Sequence, residues 1–240
     1  MDWMEVLRSK RQISDARLEL IRKGASCLET FPRSLFRHLG LVRDASVGDY
    51  VKSWDVLATV DFLEREVEKD QPILDIGCFA SEVLAGLHKR GYTRLSGADL
   101  NPNLARMPFQ NAIHYETCNF MQTPFADASF RAITAISVIE HGFDEKALLT
   151  EMSRLLEPGG FFVASFDYWP DKIDTAETTF FGMTWTIFSR QEVAAFIDHA
   201  VEYGLEPVGD SQFEADEAVI ETAGKKYTFG WLALRKTVST

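Results

Sequence analysis

The stretch ILDIGCFAS, residues 73–81, decides how the rest of the chain is read. Pro72, Ile73 and Leu74 begin a short apolar run of the kind that forms a strand buried on both faces. Asp75, Ile76 and Gly77 then carry that strand into a turn. A ligand-cradling loop after such a strand is usually rich in glycine. Here Phe79 and Ser81 stand where the later glycines would be. What the loop can hold therefore depends on those two side chains.

Downstream of this strand, short apolar runs alternate with amphipathic segments. The pattern predicts strands at 72–76, 94–98, 112–117, 130–137 and 161–166, with helices at 80–90, 144–156 and 189–203. A short helix follows Asn101-Pro102, and further strands fall near 205–210 and 227–235. Gly91 and the run Glu157 to Gly160 supply stops at the expected places. Strands alternating with helices imply a mostly parallel sheet covered on both faces, a Rossmann-like three-layer α/β sandwich. No segment long enough for a crossover helix separates the last two strands, so the final strand should be antiparallel.

Residues 1–70 read differently. Helical periodicity over 13–31 and 50–69 predicts a helical N-terminal segment, serving as a cap, a lid or a dimer contact, ahead of a domain over 71–240. The alternation is interrupted again at 168–188 by a proline, a glycine and a cluster of aromatics. An insertion of that length between a strand and a helix is expected to be a functional lid.

Bulk properties narrow the class. At 240 residues, 46% apolar and 25% charged, the chain suits one α/β domain with an added segment. No run reaches the roughly 18 apolar residues of a membrane span, and the N-terminus lacks the features of a secretory signal. Three cysteines, Cys27, Cys78 and Cys118, without metal-type spacing suit a reducing, cytoplasmic setting. A formal net charge of -11 weighs against a nucleic-acid partner. The basic residues concentrated between Arg8 and Arg43 read as a solvated helical face. Homo-oligomer formation is left open.

Asp99 closes the second strand, where a carboxylate can accept both hydroxyls of a ribose. A glycine turn and an acidic residue one βαβ step later point to an adenosine-type ligand. A dinucleotide would have to lay its pyrophosphate against the loop backbone, and Phe79 crowds that approach, which disfavours NAD. S-adenosylmethionine carries no phosphate, and its thin aminobutyrate arm tolerates more bulk.

From about Lys52 to Lys236 the chain resembles a class I S-adenosylmethionine-dependent methyltransferase of the small-molecule kind. The blocks that carry the resemblance are ILDIGC, LSGADLNP, CNFMQTPFADASFRAITAISVIEHG and EMSRLLEPGGFFVAS, in that order. It implies a seven-stranded sheet with the last strand reversed, and S-adenosyl-L-methionine as cofactor. It also implies that Asp75, Gly77 and Cys78, with Phe79, lie at the methionine end of that cofactor. Asp99 would bind the ribose hydroxyls, Leu100 and Phe120 the adenine faces, Asn119 the adenine amino group, and Ser137 the cleft below the sulfonium. The sequence departs from the family pattern at Phe79, Ser81 and Asn119.

Methyl transfer needs an aimed acceptor, and a hydroxyl acceptor also needs a base. His141, in SVIEHG at the end of the fourth strand, is the best placed candidate. Glu140 is expected beside the cofactor or on a backbone amide. His38, His88, His114 and His199 read as surface or core residues. In the insertion, Tyr168, Trp169, Phe180, Phe181 and Trp185 could wall an acceptor pocket, and Asp167, Asp171 and Asp174 could bind its polar groups. Tyr50 and Trp54 could cap the cofactor. The expected activity is methyl transfer to a small molecule, such as a hydroxyl of a sugar or other metabolite. The alternative is a ligand-binding protein that has kept the fold without turnover.

Overall fold

The computed structural model describes residues 4–29, 37, 39, 44–142, 144–180 and 182–238. Phe181, His38 and the basic residues Arg33 and Arg43 lie outside the described residues.

ILDI becomes β2 (Ile73–Ile76), with all four residues buried, at the centre of the sheet. On one side it pairs in parallel with β3 (Leu95–Asp99), which pairs in parallel with β4 (Ile113–Thr117). On the other side it pairs in parallel with β5 (Phe130–Ile136), which is followed by parallel β6 (Leu156–Tyr168). The long last strand, β11 (Lys225–Lys236), then runs antiparallel to β6 from Thr228 opposite Tyr168 to Arg235 opposite Phe161. With β9 (Leu205–Pro207) on its far edge, the expected seven-stranded sheet with a reversed final strand is complete.

Successive strand residues face opposite layers. Ile73 joins the core formed with α1 (Lys10–Arg22), α2 (Ser53–Glu66) and α3 (Val83–Lys89). Leu74 and Ile76 join the core formed with α4 (Glu145–Leu155) and α5 (Arg190–Glu202). This alternation produces the three layers.

Several details differ from expectation. The N-terminal segment is not wholly helical, because β1 (Met4–Val6) pairs with Gly230–Leu232 of β11. Three residues are too few for periodicity to announce a strand. β10 (Ile220–Thr222) adds a further short strand, joined to β11 by the two-residue turn Ala223-Gly224 with both φ positive. Such a turn matches the twist of a hairpin. The free edge of β11 is thus met in succession by β10, β1 and β9, which leaves little of it open for pairing with another chain. The first helix stops at Arg22 rather than continuing to 31. Gly24 at φ 71 turns the chain there, and the N–H groups of Ala25 and Ser26 fold back onto the carbonyl of Leu20. β6 also begins earlier than expected, at Leu156, with a register shift against β5 that absorbs the Pro158-Gly159-Gly160 run.

The turn after β2 explains one glycine and poses a question about its neighbour. Gly77 has φ 64, and a Cβ there would come within 2.4 Å of Val138. Ala80 takes the same left-handed conformation, φ 64, without being glycine. That conformation costs a residue with a Cβ roughly 1–2 kcal/mol, and Ala80 is exposed. Ala80→Gly should therefore stabilise the fold by about 1 kcal/mol, seen as a raised midpoint in urea unfolding with unchanged slope. A lower midpoint would show that Ala80 is not strained.

Candidate functional site

Beyond the carboxyl ends of β2 and β3 the chain builds a cleft. The Phe79 N–H donates to Asp99 Oδ2 at 2.9 Å, and the Asn101 N–H donates to Asp99 Oδ1 at 2.8 Å. Asp99 is thereby fixed between the loop after β2 and its own following turn, and the remaining lone pairs of its oxygens are available to a ligand. The first N–H of α3 is not open to a ligand, since the Val83 N–H takes the Ser81 hydroxyl at 3.2 Å. Ser81 is therefore a local cap.

Gly77, Phe79, Asp99, Leu100, Asn119 and Phe120 line a cavity of about 460 Å³, together with Ser137 and His141. Leu100 is 61% exposed, so an apolar side chain stands open at this wall. Asn119 is held by accepting the Met121 N–H at 2.9 Å. Eight of the residues named from sequence thus meet in one cleft. Two of the residues expected at the cofactor do not line it. Asp75 is 1% exposed within β2, where Thr134 donates to its Oδ1 at 2.6 Å. Its Oδ2 has no partner among the described residues, and burial pushes the carboxyl up to about 7. Cys78 is fully buried against Gly97, and burial pushes its thiol up. Both support the loop from beneath.

A second cavity, of about 500 Å³, shares Ser137 and His141 with the first. Its walls include Lys52, Glu140, His141, Asp167, Trp185 and Tyr227. Here the insertion folds back on the body. β7 (Thr179–Phe180) and β8 (Met183–Thr184) form a small hairpin, and Trp185 bridges to His141. The Trp185 indole N–H donates to Asp167 Oδ2 at 2.7 Å. Lys52 lies 4.0 Å from Asp167 Oδ1, with its ammonium 3.5 Å above the Phe229 ring. Glu140 is 1% exposed, and its Oε2 has no partner among the described residues. Burial and the neighbouring Asp167 hold the Glu140 carboxyl well above the usual range. Burial raises Asp167 too, with Lys52 and Trp185 acting in the opposite direction. His141 is shifted the other way: burial lowers it below its ordinary 6.5, against the pull of Asp167.

A third, smaller cavity of about 190 Å³ lies between Gly48, Asp49 and Lys52 and the loop from Gly77 to Glu82. Ser137 borders all three spaces, and Gly77 and Phe79 border the first and third. Ser137 sits at φ 55 just beyond β5. Its N–H donates to the carbonyl and hydroxyl oxygens of Ser165, at 3.0 and 3.2 Å. Ser165 in turn donates to Asp55 at 2.8 Å, whose burial pushes it up to about 6. The Ser137 hydroxyl itself has no partner among the described residues.

Tyr168 and Trp169 line neither large cavity. Tyr168 is fully buried, and its hydroxyl donates to the Phe213 carbonyl at 2.7 Å. Asp167 precedes it on β6 and so points to the opposite face; the period of two in a strand was the signal that separates the pair. The Trp169 N–H pairs with the Phe188 carbonyl as the insertion closes. Trp54 is core, while Tyr50 is 49% exposed and borders none of the three spaces. Sequence reading missed Lys52, Asp55 and Tyr227, since each reaches the site only through the fold.

Residues 74–164 match the family model described as a methyltransferase domain. Methyltransferase GfsG from Streptomyces halstedii is 27% identical over 132 residues, covering 51% of this chain and 48% of that protein. The chain spans 33% to 59% of the length of the first curated relatives it matches. Among solved structures, geranyl diphosphate C-methyltransferase from Streptomyces coelicolor A3(2), with S-adenosyl-L-homocysteine bound, aligns with a TM-score of 0.57. That match is 19% identical and covers 82% of this chain and 90% of the other. The 4+2 cyclase SpnF aligns with a TM-score of 0.61 at 12% identity, covering 98% and 100%. At these identities the solved structures show the fold alone, and no helix among the described residues is long and apolar enough to cross a membrane. Residues 74–164 thus match a methyltransferase domain, and the sheet order with its reversed last strand is the fold of the S-adenosylmethionine-dependent methyltransferases among the solved structures.

Proposed function

We propose that the chain transfers a methyl group from S-adenosylmethionine to a small-molecule acceptor. The observation that carries this reading is the junction at Ser137, where the cleft beside Asp99 meets the cavity beneath Trp185. A donor on one side and an acceptor on the other would face each other there. When bound, S-adenosylmethionine supplies a methyl group on a positively charged sulfur.

The residues present suit that ligand. Asp99, already fixed by two backbone N–H groups, keeps lone pairs for ribose hydroxyls. The exposed face of Leu100 and the ring of Phe120 offer apolar surfaces to a planar base, with Asn119 at its edge. The narrow space between Gly48, Asp49 and the Gly77 loop suits a slender amino-acid arm better than a diphosphate. Asp75 and Cys78 serve by keeping that loop in place. On the acceptor side, His141 takes the proton from a hydroxyl as it is methylated, and Asp167 steadies the charge that results. Trp185 and Tyr227 exclude water. The 168–188 insertion acts as a lid over the acceptor, and the segment before residue 70 caps the amino-acid end. A hydroxyl on a sugar or other metabolite is the acceptor atom this arrangement favours.

Calorimetric titration with S-adenosylhomocysteine and with NAD is the direct test. Saturation at 100 times Kd should add about 2.7 kcal/mol to the stability, visible as a thermal shift of several degrees, with no heat from NAD. Absence of heat and of any shift with S-adenosylhomocysteine would refute the reading. Phe79, at the wall of both donor-side spaces, favours the second reading of a binding protein without turnover. Binding together with methylated product, detected by mass spectrometry over a panel of hydroxylated acceptors, excludes it.

A further inference from the structure

The cavity beneath Trp185 is unevenly charged. Asp49, Glu140, Asp167 and Glu221 border it, against Lys52 as its lysine among the described residues. Most of that charge is already answered. Asp49 accepts the Val51 N–H at 3.0 Å. Asp167 takes the Trp185 N–H and has Lys52 beside it. Glu221 is exposed to water. Glu140 is different, being almost completely buried with Oε2 unmatched among the described residues. Leaving a buried carboxyl oxygen unpaired is costly unless something arrives to pair with it. The Trp185 and Tyr227 rings line the same space, and ring faces attract cations.

We propose that this cavity selects acceptors that carry a protonated amine, which pairs with Glu140 while the hydroxyl to be methylated lies toward Ser137 and His141. The inference rests on the methyl-transfer reading and specifies its substrate class. Lys52 sits over the Phe229 ring within reach of Asp167, and its pull on Glu140 is outweighed by burial and by Asp167. An anionic acceptor, such as a diphosphate or a carboxylate, would meet like charge on several sides and is rejected. A neutral alcohol could share a hydrogen bond with the uncharged acid that burial favours at Glu140, whereas an ammonium supplies the positive charge that stabilises its ionised form in the cavity.

Three probes of one shape separate these cases: tyramine, tyrosol and 4-hydroxyphenylacetate, each titrated into the full chain at pH 7 with and without saturating S-adenosylhomocysteine. Tyramine should bind at least tenfold more tightly than tyrosol, and 4-hydroxyphenylacetate should give no detectable heat. Glu140→Gln should reduce the tyramine preference to within about twofold. Lys52→Met, which removes the resident cation, should widen it, and this serves as the second readout if Glu140→Gln does not fold. Equal binding of tyramine and tyrosol, a preference that survives Glu140→Gln, or no binding of any probe to a chain that takes S-adenosylhomocysteine would each overturn the amine selectivity and leave the cofactor reading standing. Conversely, a chain that prefers tyramine but gives no heat with S-adenosylhomocysteine keeps the selectivity and loses methyl transfer.

Discussion

Glu82→Ala should cost the fold about 3–5 kcal/mol, the usual penalty for leaving one member of a buried ion pair alone. Arg17 from α1 and Glu82, at the end of the loop after β2, meet with side chains 5% and 0% exposed. The guanidinium reaches both carboxylate oxygens, at 2.5 and 3.2 Å, and also bonds Ser53, Ser26 and the Asp49 carbonyl. Glu82 further accepts the Cys27 N–H at 2.9 Å. One pair of charges therefore ties α1, the Ser26-Cys27 turn, the approach to α2 and the loop after β2 together. For a chain of this size the loss corresponds to a drop in melting temperature of roughly 10 °C. Replacing both partners, Arg17→Met with Glu82→Leu, should recover much of it, because neither charge is then stranded. If Glu82→Ala melts within 2 °C of the parent (about 1 kcal/mol or less), the pair is a bystander. The same variant should weaken S-adenosylhomocysteine binding, since the Gly48 N–H bonds the Ala80 carbonyl across the small cavity that Glu82 underpins.

This clamp marks the boundary of what the sequence discloses. The sheet was legible because its signals are local: ILDI is a buried strand wherever it is placed, and Asp99 follows its own strand at a fixed step. The cleft residues came with them, since a loop and two strand ends of one sheet must share an edge. Arg17 and Glu82 are 65 positions apart, and nothing in either neighbourhood names the other. Arg17 reads as one more basic residue on a helix, yet it is 4% exposed. Lys52 and Tyr227 were missed for the same reason, as was β1, whose three residues acquire meaning only against β11. Tyr168 was misplaced for a different reason. Its aromatic character suggested a pocket wall, while its position on β6, one residue past Asp167, had already assigned it to the other face.

His141→Ala should lower kcat by about 10²–10⁴, the usual contribution of a positioned base, with little change in S-adenosylhomocysteine affinity. The sign of the pH dependence follows from burial. His141 must be neutral to accept a proton, and burial holds it below the ordinary 6.5, so the neutral form persists to lower pH than for an exposed histidine. The acid limb of kcat/KM should therefore fall below 6.5, with activity lost as the pH drops through that lowered value, and the limb should vanish in His141→Ala. His199 provides the contrast. It is an exposed histidine whose Nδ1 lies 2.5 Å from Glu145, which raises its pKa. His199→Ala should leave both kcat and the acid limb unchanged. A His141→Ala enzyme within threefold of the parent rate, or one that keeps the acid limb, would move the base elsewhere in the cavity. Asp167 would then be the next group to test, because it lines the same cavity and burial raises its carboxyl.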